Sequence, residues 1–164
     1  MHTYSITSGK GGVGKTSLVC NMARHFGELG KKVLLIDADL GLANVDIVMG
    51  LSPEANLSDL FNGTADLESL LIPAFENVTV LPASSGVQEM SHLSDEHVLK
   101  FMEAVNDLEH RFDVVLVDTG AGIGRNVLHF NAAAQDVLLV ATPEPTSITD
   151  AYALLKVLNQ EKLI

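Results

Sequence analysis

The sequence predicts an α/β fold: a mostly parallel, doubly wound sheet of about five strands with helices on both faces. Short apolar segments alternate along the chain with segments of helical periodicity, which is the pattern of a parallel sheet. Residues 33–36 and 114–117 contain no polar side chain, and an aspartate follows each, as is typical of strands buried on both faces. A length of 164 residues suits one domain of this kind.

Each element is placed by its own pattern. Short apolar runs predict the strands, and they lie at residues 4–7, 33–36, 78–81, 114–117 and 137–141. Apolar residues at helical spacing predict the longer helices, and they lie at residues 18–29, 98–108, 127–134 and 148–158. Between residues 41 and 75 we expect only short helical pieces, because Pro53, Asn62-Gly63 and Pro73 interrupt the chain. Ligands of such sheets bind beyond the carboxyl ends of the strands, so the residues after 7, 36 and 117 should share one crevice.

The charge balance excludes a general nucleic-acid binder. The net charge is −11, from 10 Lys and Arg against 21 Asp and Glu, and no Lys or Arg stands between Lys32 and Lys100. Affinity for nucleic acid depends on cations that neutralise phosphates. The acidic stretch is compatible with a solvated surface or with a docking face for a basic partner.

The cysteine and histidine residues do not indicate a metal centre of the kind that these side chains bind. Cys20 is the single cysteine, so one chain can form neither an internal disulfide nor a cysteine-ligated cluster. No two of the six histidines stand four residues apart, the spacing of a helical metal site. No signal peptide and no apolar stretch of ~18 residues is visible, so we expect a cytoplasmic protein.

Residues 8–17, S-G-K-G-G-V-G-K-T-S, form a glycine-rich loop between a predicted strand and a predicted helix. They match the phosphate-loop pattern G-x-x-x-x-G-K-S/T and also the dinucleotide pattern G-x-G-x-x-G, which Asp37 follows at a suitable distance. Lys15 and Thr16 favour the phosphate loop, since it needs a lysine for the β- and γ-phosphates and a hydroxyl for Mg²⁺. The predicted nucleotide-binding residues of the loop are Gly9, Lys10, Gly11, Gly12, Val13, Gly14, Lys15, Thr16 and Ser17.

Three aspartates stand at the ends of predicted strands. Asp37 and Asp39 follow the second strand, and Asp118 closes the fourth. A lone aspartate at such a place often caps a helix. Three of them beside a phosphate loop favour a magnesium site, with Thr16, Asp37 and Asp118 as predicted ligands and the carboxylates acting through water.

The motif K-G-G-V-G-K-T, with these aspartates, resembles the deviant Walker A P-loop ATPases of the MinD/ParA family (the SIMIBI class). The resemblance implies a slow, Mg²⁺-dependent ATPase that binds ATP and ADP and forms a homodimer with ATP. By resemblance, Lys10 acts across the dimer on the partner's nucleotide, Lys15 and Asp39 are catalytic, and Asp39 positions the attacking water. The resemblance also places the backbone N–H of Gly122 near the γ-phosphate.

Three further stretches resemble the flagellar-number regulators of that family, the FlhG/FleN/YlxH branch. They are A-S-S-G-V-Q-E-M-S-H-L-S at 83–94, V-D-T-G-A-G-I at 117–123 and T-P-E-P-T-S-I-T-D-A-Y-A at 142–153. This resemblance implies protein partners in the flagellar or polar machinery. The family domain continues past the position of residue 164 and ends in an amphipathic membrane helix. The resemblance therefore implies that residues 1–164 are a single P-loop ATPase domain, truncated at its C-terminus. Full-length members of the family can be peripheral at the inner membrane. Membrane contact is not supported for this chain.

These interpretations of the sequence lead to three hypotheses about function. The first is an ATP-dependent dimerisation switch that regulates flagellar number or placement. The second is a truncated, non-catalytic interaction module of the same family. The third is an NAD-binding oxidoreductase, which depends on the dinucleotide interpretation of the glycine-rich loop.

Overall fold

A six-stranded sheet organises the chain in the computed structural model, which describes residues 1–83 and 94–161. The sheet order is β3-β4-β2-β5-β1-β6, and every neighbouring pair is parallel except β3 and β4. The strands are β1 (His2–Ser8), β2 (Val33–Ala38), β3 (Ile72–Phe75), β4 (Val78–Leu81), β5 (Val114–Ala121) and β6 (Asp136–Leu139). The predicted fold class is confirmed.

The longer helices lie where the apolar periodicity predicts them, and two short helices lie between residues 41 and 75, where short helical pieces were expected. The helices are α1 (Lys15–Glu28), α2 (Val45–Met49), α3 (Leu57–Phe61), α4 (Asp95–Asp107), α5 (Arg125–Ala133) and α6 (Pro145–Gln160), beside 3-10 turns at Glu68–Leu70 and Glu109–Arg111. Ser94 caps α4, since its hydroxyl accepts the N–H of His97 at 3.2 Å. In the part of the chain that is described, no helix is long and apolar enough to span a membrane.

The strand β3 is absent from the sequence prediction, which expected five strands. Pro73 lies within it, and by sequence pattern a proline indicates an interruption of the chain. A proline is tolerated here because, among the described strands, β3 is an edge strand that pairs only with β4, in antiparallel orientation. Which strand lies at the edge depends on the assembled sheet, so the local sequence does not predict it.

Apolar side chains cover both faces of the sheet. On one face Leu34, Phe101 and Phe130 belong to a cluster that joins the sheet to α4 and α5, and the rings of Phe101 and Phe130 meet edge to face at 5.9 Å. On the other face Val19 and Leu116 belong to a second cluster beneath α1. All six residues of β2 are buried, as its uninterrupted apolar run predicts.

A buried polar group fixes α5 against β1. Asn131 is fully buried; its carbonyl oxygen accepts the hydroxyl of Ser5, and its amide donates to the hydroxyl oxygen of Thr7 at 3.3 Å. Buried polar atoms must be paired, so these bonds set the position of the helix. The residues that lead into α5 are thereby held beside the carboxyl end of β1.

Candidate functional site

A cleft of about 740 Å³ opens at the carboxyl ends of β1, β2 and β5. Three segments line it: the glycine-rich loop that follows β1, residues 38–48 after β2, and residues 120–127 at and after the end of β5. The crevice predicted from the strand ends is therefore present, and the size is that of an ordinary small-molecule site.

The loop presents backbone N–H groups and one buried cation to this cleft. Gly12 and Gly14 have φ of 74° and 94°, a conformation that favours glycine. α1 begins at Lys15 with no capping side chain and no acidic residue in its first turn, so the positive end of the helix faces the cleft uncompensated. Lys15 is only 8% exposed, and with Thr16 and Ser17 it lines the cleft. An anion fits this end of the cleft.

Gly9 has a packing role that the motif does not show. It lies outside the cleft lining, and a Cβ built on it would stand 2.1 Å from the carbonyl carbon of Asp150 in α6. Val13 also lies outside the lining, as does Gly122. The N–H of Gly122 donates to the carbonyl oxygen of Ser8 at 2.8 Å, so its expected contact with a γ-phosphate requires this bond to break.

Lys10 points away from the cleft of its own chain. Its ammonium donates to a carboxylate oxygen of Glu144 at 2.7 Å and to the hydroxyl of Thr146 at 2.9 Å, both at the start of α6. This contact lowers the pKa of the Glu144 carboxyl. Lys10 thus makes its bonds to groups of its own chain, while Lys15 lines the cleft.

Asp37 and Asp118 are register partners in the β2–β5 pair, and both are 1% exposed. Asp37 accepts the N–H groups of Asp39, Asn44 and Val45 at 3.0–3.1 Å, which shapes the segment after β2. Burial raises the pKa of Asp37 to about 7 despite these bonds. Burial likewise raises the pKa of Asp118 to about 6, although the Thr16 hydroxyl and Lys15 oppose the rise.

The groups around Asp118 fit a magnesium ion. The Thr16 hydroxyl donates to one oxygen of Asp118 at 2.6 Å, whereas the other oxygen is buried without a protein partner. Among the described residues no cluster of three His, Cys, Asp or Glu is present that would bind a metal by itself. Mg²⁺ needs no such cluster, because it keeps several waters and is usually held by one or two carboxylates together with substrate phosphates. Asp37 is less available, since backbone N–H groups occupy both of its oxygens.

Asp39 lines the cleft on the β2 side. Its Oδ1 accepts the N–H of Leu42 at 3.2 Å and lies 3.5 Å from the position of a Cβ on Gly120, across the gap to β5. The carboxylate is thus held between the ends of two strands. Such a position suits a group that orients a water molecule in the cleft.

Two polar residues of the cleft were not predicted from the sequence. Arg125 and Asn126, at the start of α5, both line it. Their position in the sequence could have indicated them, because they follow V-D-T-G-A-G-I at the end of a predicted strand. The carboxyl ends of parallel strands converge on one crevice. No motif pointed to them, because the phosphate-loop pattern ends at residue 16.

We expect the metal-free protein to lose thermal stability as the pH rises from about 4 to about 7. The folded-state pKa values of Asp37, about 7, and Asp118, about 6, lie above 3.8, the ordinary pKa of an aspartate in an unfolded chain. The folded protein therefore holds protons that the unfolded chain has released, and this stabilisation disappears as the pH passes the folded values.

Thermal unfolding across this pH range measures the effect, and Asp118→Asn is the matched variant. The asparagine keeps an acceptor for Thr16 but does not titrate, so its curve should be flatter. A midpoint that stays constant or rises with pH in the unaltered protein contradicts the prediction.

The fold and this cleft define a P-loop nucleotide-binding protein. A family model described as an AAA domain matches residues 1–163. The chain is 49% identical to the antiactivator FleN of Pseudomonas aeruginosa over 98% of its length, and 36% identical to the flagellum site-determining protein YlxH of Helicobacter pylori over 96%. It covers 58% and 54% of those proteins, so it spans little more than half the length of these relatives.

A solved structure supports the same family assignment as these relatives. The septum site-determining protein MinD of Pyrococcus horikoshii, complexed with Mg-ADP, matches 98% of the chain at 33% identity with a TM-score of 0.81, and the chain covers 65% of it. The chain belongs to the MinD/ParA family of P-loop ATPases, with FleN and YlxH among its relatives there. This membership confirms the resemblance and selects the phosphate loop over the dinucleotide interpretation. Most of the branch-like stretch 83–94 lies outside the described residues.

Proposed function

We propose that this protein is a Mg²⁺-dependent ATPase that binds ATP and ADP and dimerises when ATP is bound. The observation that carries the proposal is the pairing of Thr16 with Asp118 at 2.6 Å beside the buried Lys15, at the mouth of the phosphate loop. A hydroxyl, a carboxylate oxygen without a protein partner and a lysine meet there, and these are the groups that an Mg-nucleotide requires.

The geometry supports separate roles for the residues around the nucleotide phosphates. The N–H groups of the loop and the first turn of α1 hold the phosphate oxygens, and Lys15 adds a full positive charge. Thr16 and Asp118 would hold Mg²⁺, with Asp37 acting through water; when bound, the ion neutralises charge on the phosphates. Asp39 orients the attacking water from the opposite wall of the cleft, which is the task of the water-positioning residue in P-loop enzymes.

Lys10 is the residue that links hydrolysis to dimerisation in this proposal. It makes its bonds outside its own cleft, to Glu144 and Thr146, and in the dimer it would exchange these bonds for the partner's nucleotide. Delivered to the partner's nucleotide, it stabilises charge in the transition state as an arginine finger does, an effect of ~10³–10⁵ in rate in enzymes that use one. We propose that the ATP-bound dimer is the active state.

The similarity to FleN and YlxH supports a role in setting flagellar number or placement. In this proposal the protein acts in the cytoplasm, and its partners are proteins of the flagellar or polar machinery. The non-catalytic interaction module remains the alternative, and it predicts partner binding without ATP hydrolysis. A hydrolysis assay with Mg-ATP, beside calorimetric binding of ATP and ADP, separates the two.

Replacing Asp39 separates binding from chemistry. We expect Asp39→Asn to lower the rate of ATP hydrolysis by ~10²–10⁴-fold, the usual contribution of a positioned acid–base group. The affinity for Mg-ATP should change less than about threefold, since the asparagine still accepts the N–H of Leu42. Phosphate release and calorimetry measure the two quantities.

Asp46→Asn is the control, because Asp46 lies nearby in α2 but outside the cleft lining. It should hydrolyse ATP at the normal rate. The role of Asp39 is refuted if Asp39→Asn hydrolyses normally, or if its ATP affinity falls as far as its rate.

A further inference from the structure

Arg125 is a cation at the nucleotide cleft to which the function proposed above gives no role. It is the first residue of α5, and it lines the cleft. Among the described residues that line this cleft, only Lys15 and Arg125 carry a full positive charge, and only Asp39 carries a negative one. Lys15 belongs to α1 and Arg125 to α5, so the cleft has positive charge on two of its walls.

Packing fixes the backbone of Arg125 at the rim of the cleft. Val127, one half-turn further along α5, is buried, and one of its methyl groups lies 3.6 Å from the position of a Cβ on Gly120. The first turn of α5 therefore packs on the end of β5. One turn later, Asn131 is fully buried and accepts the hydroxyl of Ser5 in β1. The arginine thus has a held backbone and an exposed side chain that is long enough to reach into the cleft.

Asp39 indicates which part of a nucleotide Arg125 would meet. Its Oδ1 lies 3.5 Å from the same Cβ position on Gly120 that Val127 approaches, so Asp39 and the first turn of α5 come together at one strand end. In the proposed function Asp39 orients the water that attacks the γ-phosphate, and a water-positioning residue must stand beside that phosphate. Arg125 therefore lies at the γ-phosphate end of the cleft.

A guanidinium suits a terminal phosphate. It is planar and always charged, and its N–H groups form a fork that matches two phosphate oxygens at once. It carries five N–H donors, so it can bond to protein groups and to a phosphate at the same time. The γ-phosphate is the terminal group of ATP and has three oxygens that no further phosphate shares. ADP lacks this group, so a contact to it distinguishes the two nucleotides.

We infer that Arg125 binds the γ-phosphate of the nucleotide in its own chain and thereby makes the protein prefer ATP to ADP. The inference rests on the proposed function, because it takes this cleft as the ATP site. The role is distinct from that of Lys10, which the proposed function assigns to the nucleotide of the partner chain. Lys15 and the loop hold phosphates that ATP and ADP share, whereas Arg125 holds the one that only ATP has.

Calorimetry with Mg²⁺ and either ADP or the β,γ-imido analogue of ATP, which is not hydrolysed, tests the inference. Arg125→Ala should weaken binding of the analogue roughly tenfold or more, the effect of one hydrogen bond to a charged group, and that of ADP by less than about twofold. Arg125→Lys should recover part of the loss, since it keeps the charge but not the planar fork. Arg24→Ala is the matched control, because Arg24 pairs with Glu28 on α1 outside the cleft lining. It should bind both nucleotides normally.

The inference is overturned if Arg125→Ala leaves the preference for the analogue over ADP unchanged, whether both affinities fall together or neither does. Titrations at a low and at a high protein concentration separate the two chains of a dimer: a loss confined to the high concentration would place Arg125 on the partner's nucleotide and also overturns it. Failure of the proposed function looks different, because the unaltered protein would then bind neither nucleotide. The Arg125 side chain is exposed, so thermal unfolding should show an unchanged midpoint for each variant.

Discussion

Lys15→Ala should abolish hydrolysis of Mg-ATP and weaken ATP binding by at least ~100-fold. Lys15 is a buried cation at the first position of α1, and it lines the cleft that we propose as the nucleotide site. Removing one electrostatic donor from a preorganised site costs ~10²–10³ in rate where it has been measured. The lysine also binds the ground state through its charge, so we expect affinity and rate to fall together. Calorimetry with ATP and a phosphate-release assay measure both.

Lys100→Ala is the comparison variant for this experiment. Lys100 is exposed on α4, where it pairs with Glu96 at 2.7 Å, and exposed pairs of this kind contribute little. It should bind and hydrolyse ATP normally. If Lys15→Ala folds and still binds ATP with normal affinity, the cleft is not the nucleotide site. Circular dichroism and a thermal midpoint establish that the variant folds.

Gly9→Ala should destabilise the fold by ~3 kcal/mol or more. The added Cβ would meet backbone atoms of Asp150 and Ala151 at 2.1–2.6 Å, so no side-chain rotation relieves the overlap. Overpacking costs typically ~1–3 kcal/mol, and a clash with backbone belongs at or above the upper end. For a chain of this size ~3 kcal/mol corresponds to a drop of roughly 6–12 °C in the thermal midpoint.

Gly11→Ala controls for the chemistry of the substitution. Gly11 lies two residues further along the same loop, and a Cβ built there meets no atom within 4 Å. Its thermal midpoint should stay within about 1 °C of the unaltered protein. Equal midpoints for Gly9→Ala and Gly11→Ala would show that α6 moves away from the loop at little cost.

The sequence predicted most of the fold because its strands are continuous apolar runs and its helices are periodic. It missed β3, since Pro73 is acceptable only on an edge and the edge is set by the assembled sheet. It predicted that the three strand ends converge, and Asp39, Lys15 and Thr16 do line one cleft.

Other features of the site depend on contacts between distant parts of the chain. Gly9 touches residue 150, and Lys10 bonds to residue 144. Such separations leave no periodic or spaced signal in the sequence. Arg125 and Asn126 lack a motif for a different reason, because many polar residues can follow a strand end without facing a ligand.

The order of the strands has a consequence for hydrogen exchange. β1, β2 and β5 are interior strands, each hydrogen-bonded to a neighbour on both sides, whereas β3 and β6 lie at the edges of the described sheet. Amides of interior strands exchange only through the largest openings of a protein, while short exposed helices such as α2 exchange through small ones. The phosphate loop and the aspartates extend from these three strands. The strand ends that carry the phosphate loop and the aspartates therefore belong to the part of the molecule that opens last. They stay folded while the edge strands fray.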